Sequence, residues 1–204
     1  MYNDIVIILT STVNVNNKKI YIHQTDPQHR LQTYLKSVRE WLNKTLFKIV
    51  LVENSGNSFE ELNDEKEIFK NRFEVITFDE NVLEEAHDIK INNSKGVSEL
   101  FSINYAIKNS KLILSSSFII KITARYFIPD LQDYLSLFNL NDYDAIVQYN
   151  RDRCELVGSN FKNISSVFSM DTLKDLPDFL GHIESIYTYR TTKYEKLLIC
   201  KEFA

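Results

Sequence analysis

The residues best suited to chemistry stand where short apolar runs end. Thr10 and Ser11 close the run Asp4-Ile-Val-Ile-Ile-Leu-Thr10, Glu53 closes Phe47-Lys-Ile-Val-Leu-Val-Glu53, and Thr123-Ala-Arg125 follows Phe118-Ile-Ile-Lys-Ile122. If these runs are neighbouring parallel strands, all of these residues gather at the carboxyl edge of one sheet, where open α/β sheets bind their ligands. A carboxylate ending a strand, as Glu53 does, can accept hydrogen bonds from a ribose or a base edge. It can equally be an exposed strand-end charge.

Other chemistries lack their anchors. Only four glycines occur, at 56, 96, 158 and 181, and none forms a G-x-G-x-x-G or G-x-x-x-x-G-K-[ST] loop. Dinucleotide oxidoreductases and P-loop NTPases are therefore disfavoured. No G-x-S-x-G elbow or H-E-x-x-H helix is present, and His23, His29, His87 and His182 show no metal-ligand spacing. With 28 acidic against 24 basic residues the net charge is −4, which gives no general attraction for nucleic acid. Cys154 and Cys200 are too few and too far apart for a disulfide scaffold. No signal segment or long apolar stretch is evident, so a cytoplasmic protein with no transmembrane segment is expected. No heptad seam or repeat points to an oligomeric state.

The elements that must position these residues follow from periodicity. Apolar runs at Ile5–Leu9, Phe47–Val52, Phe73–Phe78, Phe118–Ile122 and Asp144–Tyr149 have the length and character of buried strands. Between them, Gln28–Asn43 carries Leu31, Tyr34, Leu35, Val38, Trp41 and Leu42 on one helical face. Phe59–Asn71 and Ser94–Asn109 are expected helices too, Gly96 opens the second of these, and Pro129 suits a helix start. Strand and helix in alternation predict an α/β protein with a mostly parallel central sheet, helices on both faces and right-handed, Rossmann-like crossovers. Beyond Asn150 the pattern weakens, and Tyr194–Phe203 fits a strand or a helix. At 204 residues, 44% of them hydrophobic and 25% charged, the chain suits a single domain spanning 1–204.

Three segments in order carry a resemblance: Phe47-Lys-Ile-Val-Leu-Val-Glu-Asn-Ser-Gly56, then Lys95-Gly-Val-Ser-Glu99 with its helix, then Ser117-Phe-Ile-Ile-Lys-Ile-Thr-Ala-Arg-Tyr126. Together they resemble the strands, glycine and helix of inverting, family-2-like glycosyltransferases of the GT-A type, over about residues 4 to 130. The resemblance implies a GT-A fold, with 1–130 binding a nucleotide sugar and 131–204 binding the acceptor. It implies transfer of a sugar from a nucleoside-diphosphate sugar to a saccharide or lipid-linked acceptor. The nucleotide-sugar side would then comprise Thr10, Ser11, Glu53, Lys95, Thr123 and Arg125.

The chain departs from that family where an Asp-x-Asp normally holds a divalent metal, because Thr123-Ala-Arg125 stands there. A hydroxyl and a cation cannot hold the metal, so another positive charge must meet the departing diphosphate. Arg125 can grip phosphate oxygens bidentately, and Lys95 adds charge beside a helix N-terminus. No cofactor and no metal are expected to be required. Gly181-His-Ile-Glu184 resembles the acidic segment at the start of a late helix in the family, which makes Glu184 the expected base for the acceptor hydroxyl. His182 is the alternative base, or orients the acceptor. Asp152 and Glu155 are candidates for binding the acceptor or a metal, although Arg151-Asp-Arg153 also suits a solvated loop. The missing Asp-x-Asp keeps a second class open, a non-catalytic module that binds a saccharide or a partner protein.

Overall fold

The computed structural model describes residues 4–19, 22–148, 155–171 and 183–200. Its seven strands form one sheet: β1 (Ile5–Ser11), β2 (Lys48–Glu53), β3 (Phe73–Thr77), β4 (Phe118–Thr123), β5 (Ala145–Gln148), β6 (Leu156–Asn160) and β7 (Leu197–Cys200). Their order is β3-β2-β1-β4-β6-β5-β7. β1 runs parallel to both β2 and β4, β2 to β3, and β5 to β7, whereas β6 lies antiparallel between β4 and β5.

All seven residues of β1 are buried, as a strand covered on both faces requires. Ile5, Ile7 and Leu9 face one core and Val6 and Ile8 the other, the period-two alternation of a strand. The first core is covered by α1 (Pro27–Lys44), which presents Leu31, Tyr34, Leu35, Val38, Trp41 and Leu42. Pro27 suits its first turn, and the Asp26 side chain accepts from Gln28 N at 3.0 Å. The indole of Trp41 donates to Tyr126 O at 2.9 Å, which ties α1 to the segment that leaves β4.

The remaining helices divide between the two cores. α2 (Asn63–Ile68) and α3 (His87–Ile91) flank β3 in sequence, and then come α4 (Lys95–Asn109), α5 (Lys111–Leu114), α6 (Leu131–Ser136), whose Leu131 and Leu135 join the first core, α7 (Ile164–Val167) and α8 (Ile183–Thr191). α4 and α8 pack over the second face through Val97, Leu100, Ile103, Ala106, Ile183 and Tyr187. The expected α/β class with a mostly parallel sheet covered on both faces is thus present.

One local expectation needs correction. Phe59–Asn71 is not one helix but a short 3-10 turn, Glu60–Leu62, running into α2. Phe59 is fully buried and takes φ 49°, with its N–H bound to the Asn57 side chain, so a helix cannot begin there. Tyr194–Phe203 contains strand β7. β6 was hidden in the sequence by Gly158, which breaks its apolar run; a Cβ there would lie 2.3 Å from Ile119 O. The strands of residues 1–130 and of the remainder share one sheet.

Gly96 owes its place to packing. A Cβ on it would meet Ile183 Cβ at 2.6 Å, so this glycine lets α4 and α8 approach. Gly96→Ala is expected to destabilise the protein by about 1–3 kcal/mol through overpacking. Urea unfolding checks this, and Ile183→Ala in the same chain should recover part of the loss. Additive losses would show that the two residues do not meet.

Candidate functional site

The register of the central strands brings their ends level. Thr10 lies opposite Thr123, and Ser11 opposite Glu53. Two groups of side chains form around these pairs, one on each side of β1.

On the β2 side, Glu53 is fully buried and faces inward. Its oxygens accept from Val13 N at 2.9 Å, Ser55 N at 2.8 Å, Asn57 N at 3.0 Å and the Ser55 hydroxyl. These four donors saturate a carboxylate, so Glu53 shapes the loops after β1 and β2, and its oxygens do not face a ribose. Ser11 donates to Val52 O at 3.0 Å and is likewise turned into the sheet. Gly56, at φ 82°, makes the turn that follows. Lys19 closes this rim from outside: its ammonium donates to Ile89 O and Asn92 O, both at 2.7 Å, and lies 3.7 Å from Glu80. Burial pulls its pKa down, with Glu80 opposing.

On the β4 side the cluster is denser. Lys121 is fully buried beneath Thr123, and its Nζ lies 2.8 Å from Glu99 Oε1 on α4. Glu99 also accepts from Thr10 and from the Tyr187 phenol of α8, both at 3.3 Å. Lys121 Nζ reaches Thr123 Oγ1 at 3.5 Å, and that hydroxyl reaches Glu155 at 3.5 Å. The Tyr187 ring centroid is 5.7 Å from the ammonium. Burial works against the Lys121 charge, but Glu99 first, then Glu184 and Glu155, outweigh it and raise its pKa above the usual lysine value. Burial, reinforced by Glu99 and Glu184, pushes the Tyr187 phenol well above its usual range, so it stays a neutral donor.

Around Lys121 and Glu99, which sequence reasoning had not singled out, the structure gathers Thr10, Tyr187, Thr123 and, through Thr123, Glu155, while the charge of Glu184 also acts on Lys121. A signal existed: a lysine in the middle of a doubly covered strand must be buried, and a buried ammonium needs a carboxylate. Arg125 stands apart. It is exposed, its guanidinium lies 4.9 Å from the Tyr126 ring centroid, and its charge acts on the buried Tyr34 phenol. Lys95 is exposed at the first turn of α4, one turn before Glu99. His182 and Asp152 lie outside the described residues.

No sequence-family model and no curated protein sequence matches the chain. Solved structures do match. The galactosyltransferase LgtC, solved in complex with donor and acceptor sugar analogs, superimposes with a TM-score of 0.56 at 9% identity, over 96% of this chain and 73% of its own. The chain has a GT-A fold. A cytidylyltransferase from Leptospira borgpetersenii serovar Hardjo-bovis gives 0.54 at 12% identity, covering 98% of this chain and 76% of the other. A protein of Desulfovibrio desulfuricans G20 named for nucleotide-diphospho-sugar transfer gives 0.53 at 11%, covering 97% and 80%. At such identities the likeness is one of fold.

Thr123 offers one hydroxyl, and that hydroxyl lies against the Lys121 ammonium. Among the described residues no three His, Cys, Asp or Glu side chains are grouped to hold a metal.

Glu53 gives a pH signature. Burial raises its pKa, while the Ser55 hydroxyl and the N–H groups of Val13, Ser55 and Asn57 oppose the shift. Between the ordinary glutamate value and the raised one, folded protein holds a proton that unfolded protein has lost. Stability must therefore fall as pH rises through that window. Urea unfolding at a series of pH values should show the decline in the wild type and lose that part of the slope in Glu53→Gln. Identical slopes in both proteins would contradict the assignment.

Proposed function

We propose that the chain is a glycosyltransferase that moves a sugar from a nucleoside-diphosphate sugar to a saccharide or lipid-linked acceptor, with inversion and without an obligatory metal. The observation that carries this reading is the convergence of Thr10, Thr123, Glu155 and Glu184 on the buried Lys121–Glu99 pair at the carboxyl edge of a GT-A sheet. In such sheets that edge is where ligands enter.

The chemistry assigned to the residues is a single displacement. Glu184 is half-buried in the first turn of α8, and no described residue donates a hydrogen bond to its carboxylate. It takes the proton from the acceptor hydroxyl as that oxygen forms its bond to the anomeric carbon. On the opposite face the bond from the anomeric carbon to the diphosphate oxygen breaks, and its electron pair leaves with the nucleoside diphosphate. The charge that develops on the diphosphate is assigned to two exposed cations, Arg125, two residues beyond β4, and Lys95, in the first turn of α4. Glu155 and Thr123 contribute hydrogen bonds to sugar hydroxyls. His182 and Asp152 are assigned to the acceptor side.

Calorimetric titration with UDP, GDP, CMP and TDP sugars tests the reading, with one donor expected to bind. If the folded protein binds no donor, the chain is a non-catalytic saccharide- or partner-binding module instead. With the donor identified, Glu184→Gln should lower kcat by about 10²–10⁴-fold and leave donor affinity intact. Arg125→Ala should weaken donor binding or turnover, and Arg125→Lys should recover only part, since an ammonium lacks the guanidinium's fork. Unchanged affinity and turnover in Arg125→Ala would remove that residue from the site.

A further inference from the structure

Glu99 sits where three other elements meet α4. Its Oε1 lies 2.8 Å from the Lys121 ammonium of β4, and its Oε2 accepts from the Thr10 hydroxyl of β1 at 3.3 Å. Held at both oxygens by strands of the central sheet, the carboxylate cannot turn away without leaving a buried ammonium unpaired, which is strongly disfavoured. A third donor therefore meets an acceptor whose place is already decided. The Tyr187 phenol of α8 donates to Oε1 at 3.3 Å. Burial keeps that phenol protonated, and a buried phenol needs such a partner.

The bond matters for what α8 carries. Glu184 lies one turn before Tyr187, at the i, i+3 spacing that puts two side chains on one side of a helix. Apolar contacts hold the same stretch: a Cβ on Gly96 of α4 would lie 2.6 Å from Ile183 Cβ, and the Tyr187 ring stands edge-on to Phe168 with centroids 5.5 Å apart. Such contacts set how deep α8 lies, but they are non-directional and depend weakly on the helix's rotation about its axis. The phenol–carboxylate bond depends on it strongly. Whatever rotation Tyr187 permits, the half-buried Glu184 must follow.

We propose that Glu99 is a positioning residue for sugar transfer: anchored by Lys121 and Thr10, it holds the Tyr187 phenol and so fixes the rotation of α8 that aims Glu184 at the acceptor hydroxyl. Tyr187 is fully buried, so it acts through the helix and not on ligand. The inference rests on the transferase reading with Glu184 as its base. Misplacing a reacting group by about 1 Å costs on the order of 10²-fold in rate, which sets the scale of the effect.

The test is steady-state kinetics of the full chain with the donor sugar that binds in calorimetry. Tyr187→Phe removes one oxygen and keeps the ring, so it should lower kcat by about 10–10²-fold while donor affinity stays at the wild-type value. Glu99→Asp keeps the charge that Lys121 requires and withdraws the acceptor by one methylene. It should lower kcat in the same way. The deciding comparison is made in Glu184→Gln: with the base gone nothing is left to aim, so adding Tyr187→Phe should leave the residual kcat where Glu184→Gln alone puts it. A role in structure alone would lower kcat equally in both backgrounds.

The idea is overturned if folded Tyr187→Phe turns over like wild type, or if its loss recurs in full beside Glu184→Gln. It falls too if Tyr187→Phe weakens donor affinity and leaves kcat intact. Should Tyr187→Phe not fold, Glu99→Asp with and without Glu184→Gln makes the same comparison. Folded wild type that binds no donor would defeat the transferase reading and this inference together. Turnover that is lost in Glu184→Gln but kept in Tyr187→Phe would defeat this inference alone.

Discussion

Parallel pairing of β1 with β2 on one side and β4 on the other decides where everything else can stand. Three strands that run the same way must end at the same edge, and their register makes Thr10 level with Thr123 and Ser11 level with Glu53. Strand alternation then divides these residues between the two faces. Glu53 falls on the α1 side and becomes the anchor of two loops. Thr10, Lys121 and Thr123 fall on the side of α4 and α8 and become the polar cluster. A one-residue slip in either pairing would exchange the two sets and bury the wrong groups.

The cost of this arrangement is concentrated in Lys121. A lone ammonium in the interior is penalised severely, and a buried pair becomes strongly destabilising when one partner is removed, by about 3–5 kcal/mol. Apolar residues in place of both Lys121 and Glu99 would therefore serve the sheet at least as well. What they would not do is bring the Tyr187 phenol and the Thr10 hydroxyl onto one carboxylate, linking β1, α4 and α8 at the carboxyl edge of the sheet. Gly96 makes the same junction possible sterically, because α8 packs where any side chain at that position would stand.

How much of this was legible in the sequence depends on the range of the forces involved. β1, β2, β3, β4, β5, α1 and α4 were readable because each is a local pattern: a continuous apolar run or a 3.6-residue repeat. β6 was not, since its glycine is explained only by the backbone of β4, a contact with no local trace. The site divides in the same way. Strand-end residues could be named from order alone, but the direction in which Glu53 turns depends on donors at Val13, Ser55 and Asn57. Glu99 was invisible because a glutamate on an amphipathic helix reads as solvent-facing charge, whereas only 18% of its side chain is exposed. Lys121 was within reach, since strand order alone implies its burial.

The two cations of β4 and the segment that follows it illustrate how burial divides one chemical task. Thr123 ends the strand, and the Tyr126 N–H to Thr123 O bond turns the chain, so Arg125 leaves the sheet and stays exposed while Lys121 remains inside. An exposed guanidinium is screened by water until a ligand excludes it, and its charge is then free to act on an incoming anion. A buried ammonium is weakly screened at all times and spends its charge on the carboxylates beside it. A divalent metal between two aspartates does both jobs at once, organising protein ligands and neutralising a diphosphate. Under the proposed transferase reading, the pattern Lys121-Ile-Thr-Ala-Arg125 gives those jobs to different residues: the buried ammonium is already committed to Glu99, and only the exposed guanidinium is left to meet an anion.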